Sequence, residues 1–174
     1  MSDDPLRSAV REVLEQGRSL LRSVNDEVYR RRQAVPQGAS LGAHYRHVLD
    51  HFQCLLQGLQ SGQIDYDQRG RNPQIENSTH EALVATEDLI SQFDALPGSA
   101  LAGECTVIYS VGYGDREGFA ASSNVAREIM FCVGHAIHHY AILKLVAATA
   151  GVALPYEFGV APSTLKHLAA GARH

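Results

Sequence analysis

A long helical segment in the C-terminal half constrains this 174-residue chain more than any other feature. Ser123 and Asn124 are suitable N-cap residues, and the helix predicted from Val125 ends near Ala150, just before Gly151. One stripe of this helix carries two histidines among mainly apolar residues: Glu128, Phe131, His135, His139, Ile142 and Val146. Because the stripe is mostly apolar, the two imidazoles are expected to face the protein interior, where each needs a polar partner.

His135 and His139 lie four residues apart, and His138 points roughly 60° to the other side of His135. At about 100° per residue, His135 and His139 are separated by about 40° around the helix axis. Two imidazoles in that relation can hold one metal ion from one face. Two surface or hydrogen-bonded histidines are the simpler interpretation of such a pair, and the pair alone does not decide between them.

A second histidine cluster lies upstream, in the segment from Leu41 to Phe52. Its members, His44, His47 and His51, are spaced three and four apart and fall within an arc of about 60° on a helix. One of them can supply a third ligand. Three protein nitrogens with water at the free position are typical of an open, reactive metal site, and imidazole ligands suit zinc, nickel or iron.

The motif from Arg46 to His51, followed about 85 residues later by the His135–His139 pair in a long helix, resembles the DinB-like (DinB/YfiT-like) superfamily. The resemblance covers roughly residues 5 to 155. It implies a four-helix bundle of up-down-down-up order, with a metal site built from one histidine of the second helix and two of the fourth. By that match the ligands are His47, His135 and His139, and the cofactor is a divalent transition metal.

The apolar pattern predicts the same fold class, all-α, within one domain spanning residues 1–174. The first helix is predicted from Leu6 to near Gln33, before Pro36. Ser40 is the expected N-cap of the second helix and Ser78 of the third, and Pro97-Gly98 stops the third helix.

Two segments between the helices break the helical pattern. Residues 62–77 show no helical period and are predicted to cross the domain as a long structureless connection, which makes the second and third helices parallel. Arg69 and Arg71 in this connection are candidate substrate-binding residues, with a solvated loop of local ion pairs as the alternative. Residues 99–123 are rich in β-prone and turn residues, and they predict a strand or short hairpin inserted between the third and fourth helices.

Composition excludes several classes of protein. The formal net charge of −4 gives no indication of nucleic-acid binding. The sequence shows no apolar run of membrane-spanning length and begins with acidic residues unlike a signal peptide, so no membrane partner is expected. Three widely separated cysteines suit a reducing cytoplasm.

Two classes of function remain open. The first is a metal-dependent enzyme, since a bound metal lowers the pKa of water or a thiol; the resemblance implies relatives that use low-molecular-weight thiols, so thiol S-transfer is preferred and hydrolysis comes second. The second is a metal-binding or stress-response protein without catalysis. Candidate acid/base residues are His138, His51, Asp50 and His44, and the resemblance also suggests a homodimer.

Overall fold

The computed structural model describes residues 4–32, 38–113 and 118–171. Four long helices form the bundle: α1 (Pro5–Ser23), α3 (Leu41–Ser61), α5 (Thr79–Ala95) and α7 (Val125–Thr149). Four shorter helices accompany them: α2 (Asp26–Arg30), α4 (Pro73–Asn77), α6 (Gly98–Leu101) and α8 (Pro162–Gly171). Three strands complete the structure: β1 (Gln63–Asp65), β2 (Glu104–Tyr109) and β3 (Phe119–Asn124). The predicted all-α fold with a small β insertion is confirmed.

Each long helix begins at a short polar residue that satisfies a free backbone N–H group. Asp4 accepts from the backbone of Leu6, ahead of Pro5, which suits the first helical turn. The three N-caps expected from sequence are also confirmed: Ser40 accepts from Ala43 N at 3.0 Å, Ser78 from Glu81 N at 3.3 Å, and Asn124 from Arg127 N at 2.9 Å.

The first helix is shorter than the sequence pattern predicted. It ends at Ser23, and α2 restarts after Asn25, whose side chain accepts a hydrogen bond from Val28 N. An asparagine that caps a new helix competes with continuation of the previous one. Tyr29 of α2 is fully buried and donates from its hydroxyl to the carbonyl of Ile75, so the break turns an aromatic side chain into the bundle. The predicted helix end at Gln33 and Pro36 lies outside the described residues.

The segment at residues 62–77 is also more ordered than predicted. Gly62 reverses the chain with φ 71° at the end of α3, and β1 follows at once. β1 pairs in parallel with β2, and β2 pairs antiparallel with β3, giving a sheet of order β1-β2-β3. Ile64 is fully buried, and α4 closes the connection. A three-residue strand with one core residue leaves too little periodicity for sequence to reveal.

The parallel strands fix the directions of the helices. Because α3 leads directly into β1, and α5 leads through α6 into β2, α3 and α5 both end at the sheet. α7 starts at the sheet, directly after β3. The N-terminal turn of α1 lies at the same end, where Arg7 donates to the carbonyl of Leu96 at 2.5 Å. The order is therefore up-down-down-up, as predicted.

α7 is the only helix in the described part of the chain that is long and apolar enough, by length and composition alone, to cross a membrane. Its sequence contains no uninterrupted apolar run of that length, because three histidines and Lys144 lie within the helix. Its core-facing side chains pack inside the bundle: Val125, Ile129, Cys132, Ala136, Tyr140, Leu143 and Ala147 are buried. The helix therefore has the one-sided burial of a bundle helix.

Gly17 of α1 gives a direct test of this packing. A Cβ there would lie 2.3 Å from the Tyr45 hydroxyl and 2.5 Å from the Tyr140 hydroxyl, both of which are buried. Gly17→Ala should therefore lower the free energy of unfolding in urea by about 1–3 kcal/mol, because an overpacked core must shift to accept the methyl group. Gly134→Ala is the control and should be neutral or stabilising by up to about 1 kcal/mol, because apart from the neighbouring residues and backbone of its own helix no described atom lies within 4 Å of the new Cβ. Equal effects of the two substitutions would contradict this account.

Candidate metal centre

Three histidines from two helices meet on one side of the bundle. α3 places His47 across from His135 and His139, which α7 presents one turn apart. One ring nitrogen of each histidine lies within 4.8 Å of the corresponding nitrogens of the other two. The Nε2 atoms of His47 and His135 are 3.0 Å apart. The structure therefore brings together the three ligands named in the sequence analysis, although 88 residues separate His47 from His135.

These imidazoles are held in their neutral form. Burial, and after it the neighbouring histidines, lower the pKa of His47 to about 2, that of His135 to about 3 and that of His139 to about 4. Neutral imidazole offers a lone pair to a cation, whereas imidazolium does not. The site is thus ready to accept a metal ion near neutral pH without first releasing protons.

The donor set fits a divalent transition metal. Three neutral nitrogens form an open ligand set that suits zinc, nickel or iron, and it leaves at least one coordination position for a small molecule. His139 Nδ1 is buried and has no hydrogen-bond partner in the described part of the chain, so this ring is not fully satisfied by the protein. A cation bound to the cluster would supply the polar partner that the imidazoles lack in apolar surroundings.

An open cleft of about 490 Å³ lies beside the cluster. Two of the three histidines reach it, together with three arginines; its lining consists of Ala39, Ala43, His44, Arg46, His47, Arg69, Arg71 and His139. A molecule in this cleft would contact His47 and His139 of the cluster as well as guanidinium groups. The cleft is therefore electropositive, although the whole chain carries a net charge of −4.

The two arginines of the connection between β1 and α4 lie on the histidine side of the bundle. Arg69 contacts Nδ1 of His47 through its guanidinium, and Arg69 Nε is buried without a hydrogen-bond partner among the described residues. Arg71 is exposed, and its φ of 46° places it in the left-handed region, which is uncommon for a residue with a side chain. Both side chains line the cleft.

Asp50 fixes this arginine-rich wall in place. Its carboxylate accepts from Arg46 at 2.5 Å and from the backbone N–H of Arg71, and Arg46 also pairs with Glu76 at 3.1 Å. Burial raises the pKa of Asp50, while Arg46 and Arg69 act in the opposite direction. Asp50, one of the candidate acid/base residues, therefore holds the connection between β1 and α4 against α3.

The other acid/base candidates occupy different surroundings. His51 is almost fully buried, its Nδ1–H donates to the carbonyl of His47 at 2.9 Å, and its ring centroid lies 4.0 Å from that of His135. His138 is exposed, with its ring edge-on to His139 at 5.6 Å. His44 is half-buried, lines the cleft and lies 5.6 Å from the ring of His139.

The residues that pack behind His51 were not predicted from the sequence. The Tyr66 ring stacks on His51 at 5.4 Å, and the Tyr66 hydroxyl donates to Glu128 at 3.0 Å. Glu128 is fully buried and also accepts from Ser123 at 2.5 Å and Arg127 at 2.6 Å. Tyr66 lies in the segment predicted to lack structure, so only the carboxylate on the histidine stripe indicated that a buried polar partner was needed.

The geometry predicts how single histidine substitutions affect metal affinity. His47→Ala, His135→Ala and His139→Ala should each weaken it at least about 100-fold, because an open three-ligand site cannot spare a ligand. His138→Ala, at an exposed position next to a ligand, is the matched control and should change affinity by less than about threefold. Elemental analysis and competition with a chromophoric chelator measure both, and wild-type protein should bind about one ion per chain. Loss of the metal in His138→Ala with retention in His47→Ala would contradict the ligand assignment.

A family model and a curated protein both match the sequence of this chain. The family model described as the DinB superfamily matches residues 9–143. A curated relative, "FK506-binding protein 5" of Rhizopus delemar, is 31% identical over 108 residues, which are 60% of this chain but only 27% of that protein. This chain thus spans about a quarter of the length of that relative.

Two solved structures share the fold. A DinB-like protein (YjoA) from Bacillus subtilis superposes with a TM-score of 0.67 at 15% identity, over 89% of this chain and 99% of its own. A DinB-like protein from Bacillus cereus superposes with a TM-score of 0.57 at 14% identity, over 86% and 93% of the two chains. With a four-helix bundle, three facing histidines and a family match over most of its length, this chain belongs to the DinB superfamily.

Proposed function

We propose that this chain is a metal-dependent enzyme acting on a small anionic substrate, with thiol S-transfer preferred and hydrolysis second. The observation that carries the proposal is the pairing of three neutral histidine ligands with a cleft walled by arginines. A purely structural metal site is closed by four protein ligands, whereas this cluster offers three and faces open space.

The residues of the chain have separate roles in this proposal. His47, His135 and His139 hold a divalent ion, which when bound supplies Lewis acidity that lowers the pKa of a thiol or water molecule. Arg69 and Arg71 bind a carboxylate of the substrate through the two-pronged guanidinium geometry. The low-molecular-weight thiols implied by the family resemblance carry such carboxylates.

His44 is the best-placed residue to accept the proton that the substrate thiol or water gives up. It is the only one of the four acid/base candidates named from sequence that lines the cleft. His51 is packed against the ring of His135, Asp50 is held by Arg46, and His138 is exposed. Burial lowers the pKa of His44, so the imidazole is neutral at pH 7 and can receive a proton.

The proposal predicts that activity depends on the metal. Protein stripped with a chelator and reloaded with zinc, nickel or iron should conjugate carboxylate-bearing thiols to an aromatic electrophile at least about 100-fold faster than stripped protein. Ester hydrolysis is measured in parallel on the same samples, with His135→Ala as the inactive control. Full metal occupancy with rates equal to those of stripped protein would leave the alternative, a metal-binding protein without catalysis.

A second prediction isolates the arginines. Arg69→Lys and Arg71→Lys should each raise KM for a carboxylate-bearing substrate by about tenfold, because lysine cannot form the two parallel hydrogen bonds. The KM for the methyl ester of the same substrate and the metal content should stay unchanged. Arg11→Lys is the control, since Arg11 pairs with Asp94 between α1 and α5. An equal rise in KM for the acid and its ester would contradict carboxylate recognition.

A further inference from the structure

The free end of the hairpin formed by β2 and β3 exposes several aromatic side chains. Tyr109 is 42% exposed and Phe119 is 61% exposed, although both belong to strands of the sheet. With Tyr113, they make up three of the four exposed tyrosine and phenylalanine side chains in the part of the chain that the structure describes. Single exposed apolar residues need no explanation, but large rings concentrated at one place indicate a binding surface.

Tyr109 and Phe119 lie on the face of the sheet that is turned towards the bundle. They are direct cross-strand partners, so their side chains share one face. The ring of Tyr109 packs edge-on against that of Tyr66, with centroids 6.3 Å apart, and Tyr66 is buried. The backbone N–H of Ser110 also donates to the Asp67 side chain at 2.7 Å, which fixes the end of β2. The ring of Tyr109 is therefore held in place before any ligand arrives.

A continuous row of rings connects this end of the hairpin to the histidine cluster. The Tyr66 centroid is 5.2 Å from that of Phe131, and the Phe131 ring stacks on His135 at 5.8 Å with an interplanar angle of 24°. We call these four side chains the aromatic strip: Tyr109, Phe119, Tyr66 and Phe131. Because Phe131 is only half-buried, the strip extends an accessible aromatic surface to the edge of the metal centre.

The aromatic strip and the arginine-lined cleft approach the cluster at different histidines. The cleft is lined by His47 and His139, whereas the strip contacts His135. One approach offers guanidinium groups and the other offers aromatic rings. A reaction that joins a small anion to a second, uncharged molecule needs two such approaches, because each substrate must keep its own binding site while the reacting atoms meet.

We propose that the aromatic strip binds the second substrate of the S-transfer reaction, an electron-poor aromatic ring that carries a leaving group. This inference rests on the proposed function. The faces of phenylalanine and tyrosine rings are electron-rich, so they stack favourably on a ring from which substituents withdraw electron density. The chemistry requires the same property, since a thiolate attacks an aromatic carbon readily only when such substituents are present.

Arg127 completes this binding surface. Its guanidinium lies 5.9 Å from the centroid of the Phe131 ring, and its side chain is 61% exposed. A hydrogen bond of 2.6 Å to the buried carboxylate of Glu128 holds the guanidinium there. Electron-withdrawing nitro and carbonyl substituents have oxygens with partial negative charge, and the guanidinium has further N–H groups to donate to them. The strip and Arg127 together therefore recognise both the ring and its substituents.

The two sites allow a balanced substitution reaction. Arg69 and Arg71 hold the carboxylate of the thiol, and the strip holds the ring. The sulfur forms a bond to the ring carbon with its own electron pair. The bond from that carbon to the leaving group breaks, and the leaving group departs as an anion with the bonding pair. Because the proton of the thiol passes to His44, the step consumes no oxidant or reductant.

Equilibrium dialysis with meta-dinitrobenzene, an electron-poor ring without a leaving group, tests the strip separately from catalysis. Wild-type protein should bind it, and Phe131→Leu and Tyr109→Leu should each raise the dissociation constant about fivefold, because leucine keeps apolar volume but loses the stacked ring. Phe131→Tyr should stay within about twofold of wild type, since it keeps the ring. Tyr156→Leu is the control and should change nothing, because exposed Tyr156 lies beside Lys144, about 20 Å farther along α7 than Phe131. Circular dichroism establishes that each variant is folded.

Steady-state kinetics with chlorodinitrobenzene and a carboxylate-bearing thiol test the role of the strip in the reaction. Phe131→Leu and Tyr109→Leu should raise KM for the electrophile about fivefold and leave KM for the thiol unchanged, whereas Arg69→Lys should do the reverse. Weakened ring binding in these leucine variants, without any conjugation by metal-loaded wild type, would refute S-transfer while supporting the strip as an aromatic-binding site. Conjugation with an unchanged KM for the electrophile in both variants, or no binding of meta-dinitrobenzene by wild type, would overturn the strip.

Discussion

The packing of α3 against α7 is the contact on which the rest of the structure depends. Tyr45 of α3 stacks on Tyr140 of α7 with ring centroids 6.3 Å apart, and burial of both rings favours bringing the two helices together. The same contact forces three imidazoles into one small volume. Apolar packing thus compensates for the unfavourable desolvation of the histidines, whose pKa values are lowered mainly by burial.

The short strand β1 helps to position the two arginines beside the histidine cluster. Parallel pairing of β1 with β2 holds the chain after α3, and Asp50 accepts from Arg46 and from the backbone of Arg71. These attachments place two guanidinium groups beside neutral histidines. A cation in the cluster would be repelled by the arginines, and an anionic ligand in the cleft offsets that repulsion. The proposed function therefore couples the metal ion to an anionic substrate.

α7 serves two surfaces at once. Its core-facing side chains and the two clustered histidines face α1 and α3, whereas Met130, His138 and Leu145 on the opposite side are exposed. His138 belongs to that opposite side even though its neighbour His139 belongs to the metal cluster. One residue step, about 100° around a helix, is enough to separate the two environments.

The sequence by itself determined the bundle and the set of histidines. Apolar periodicity and short polar caps fix where α3, α5 and α7 begin, since these are local effects of backbone hydrogen bonding. The four-residue spacing of His135 and His139 places both on one face for the same reason. Helical spacing alone does not distinguish His44, His47 and His51, because all three lie within one arc of the helix. The choice of His47 came from the family resemblance.

Tertiary structure decided the rest. β1 exists because Ile64 and the parallel partner β2 compensate for a strand too short to form alone, and that pairing joins residues more than forty positions apart. The roles of Arg69, Asp50 and Tyr66 depend on where this strand leads the chain. The interruption of the first helix after Ser23 involves both levels, because Asn25 caps α2 locally and Tyr29 of α2 is buried in the bundle. Local propensity specifies helices and their faces, but only long-range packing specifies which polar groups those faces bring together.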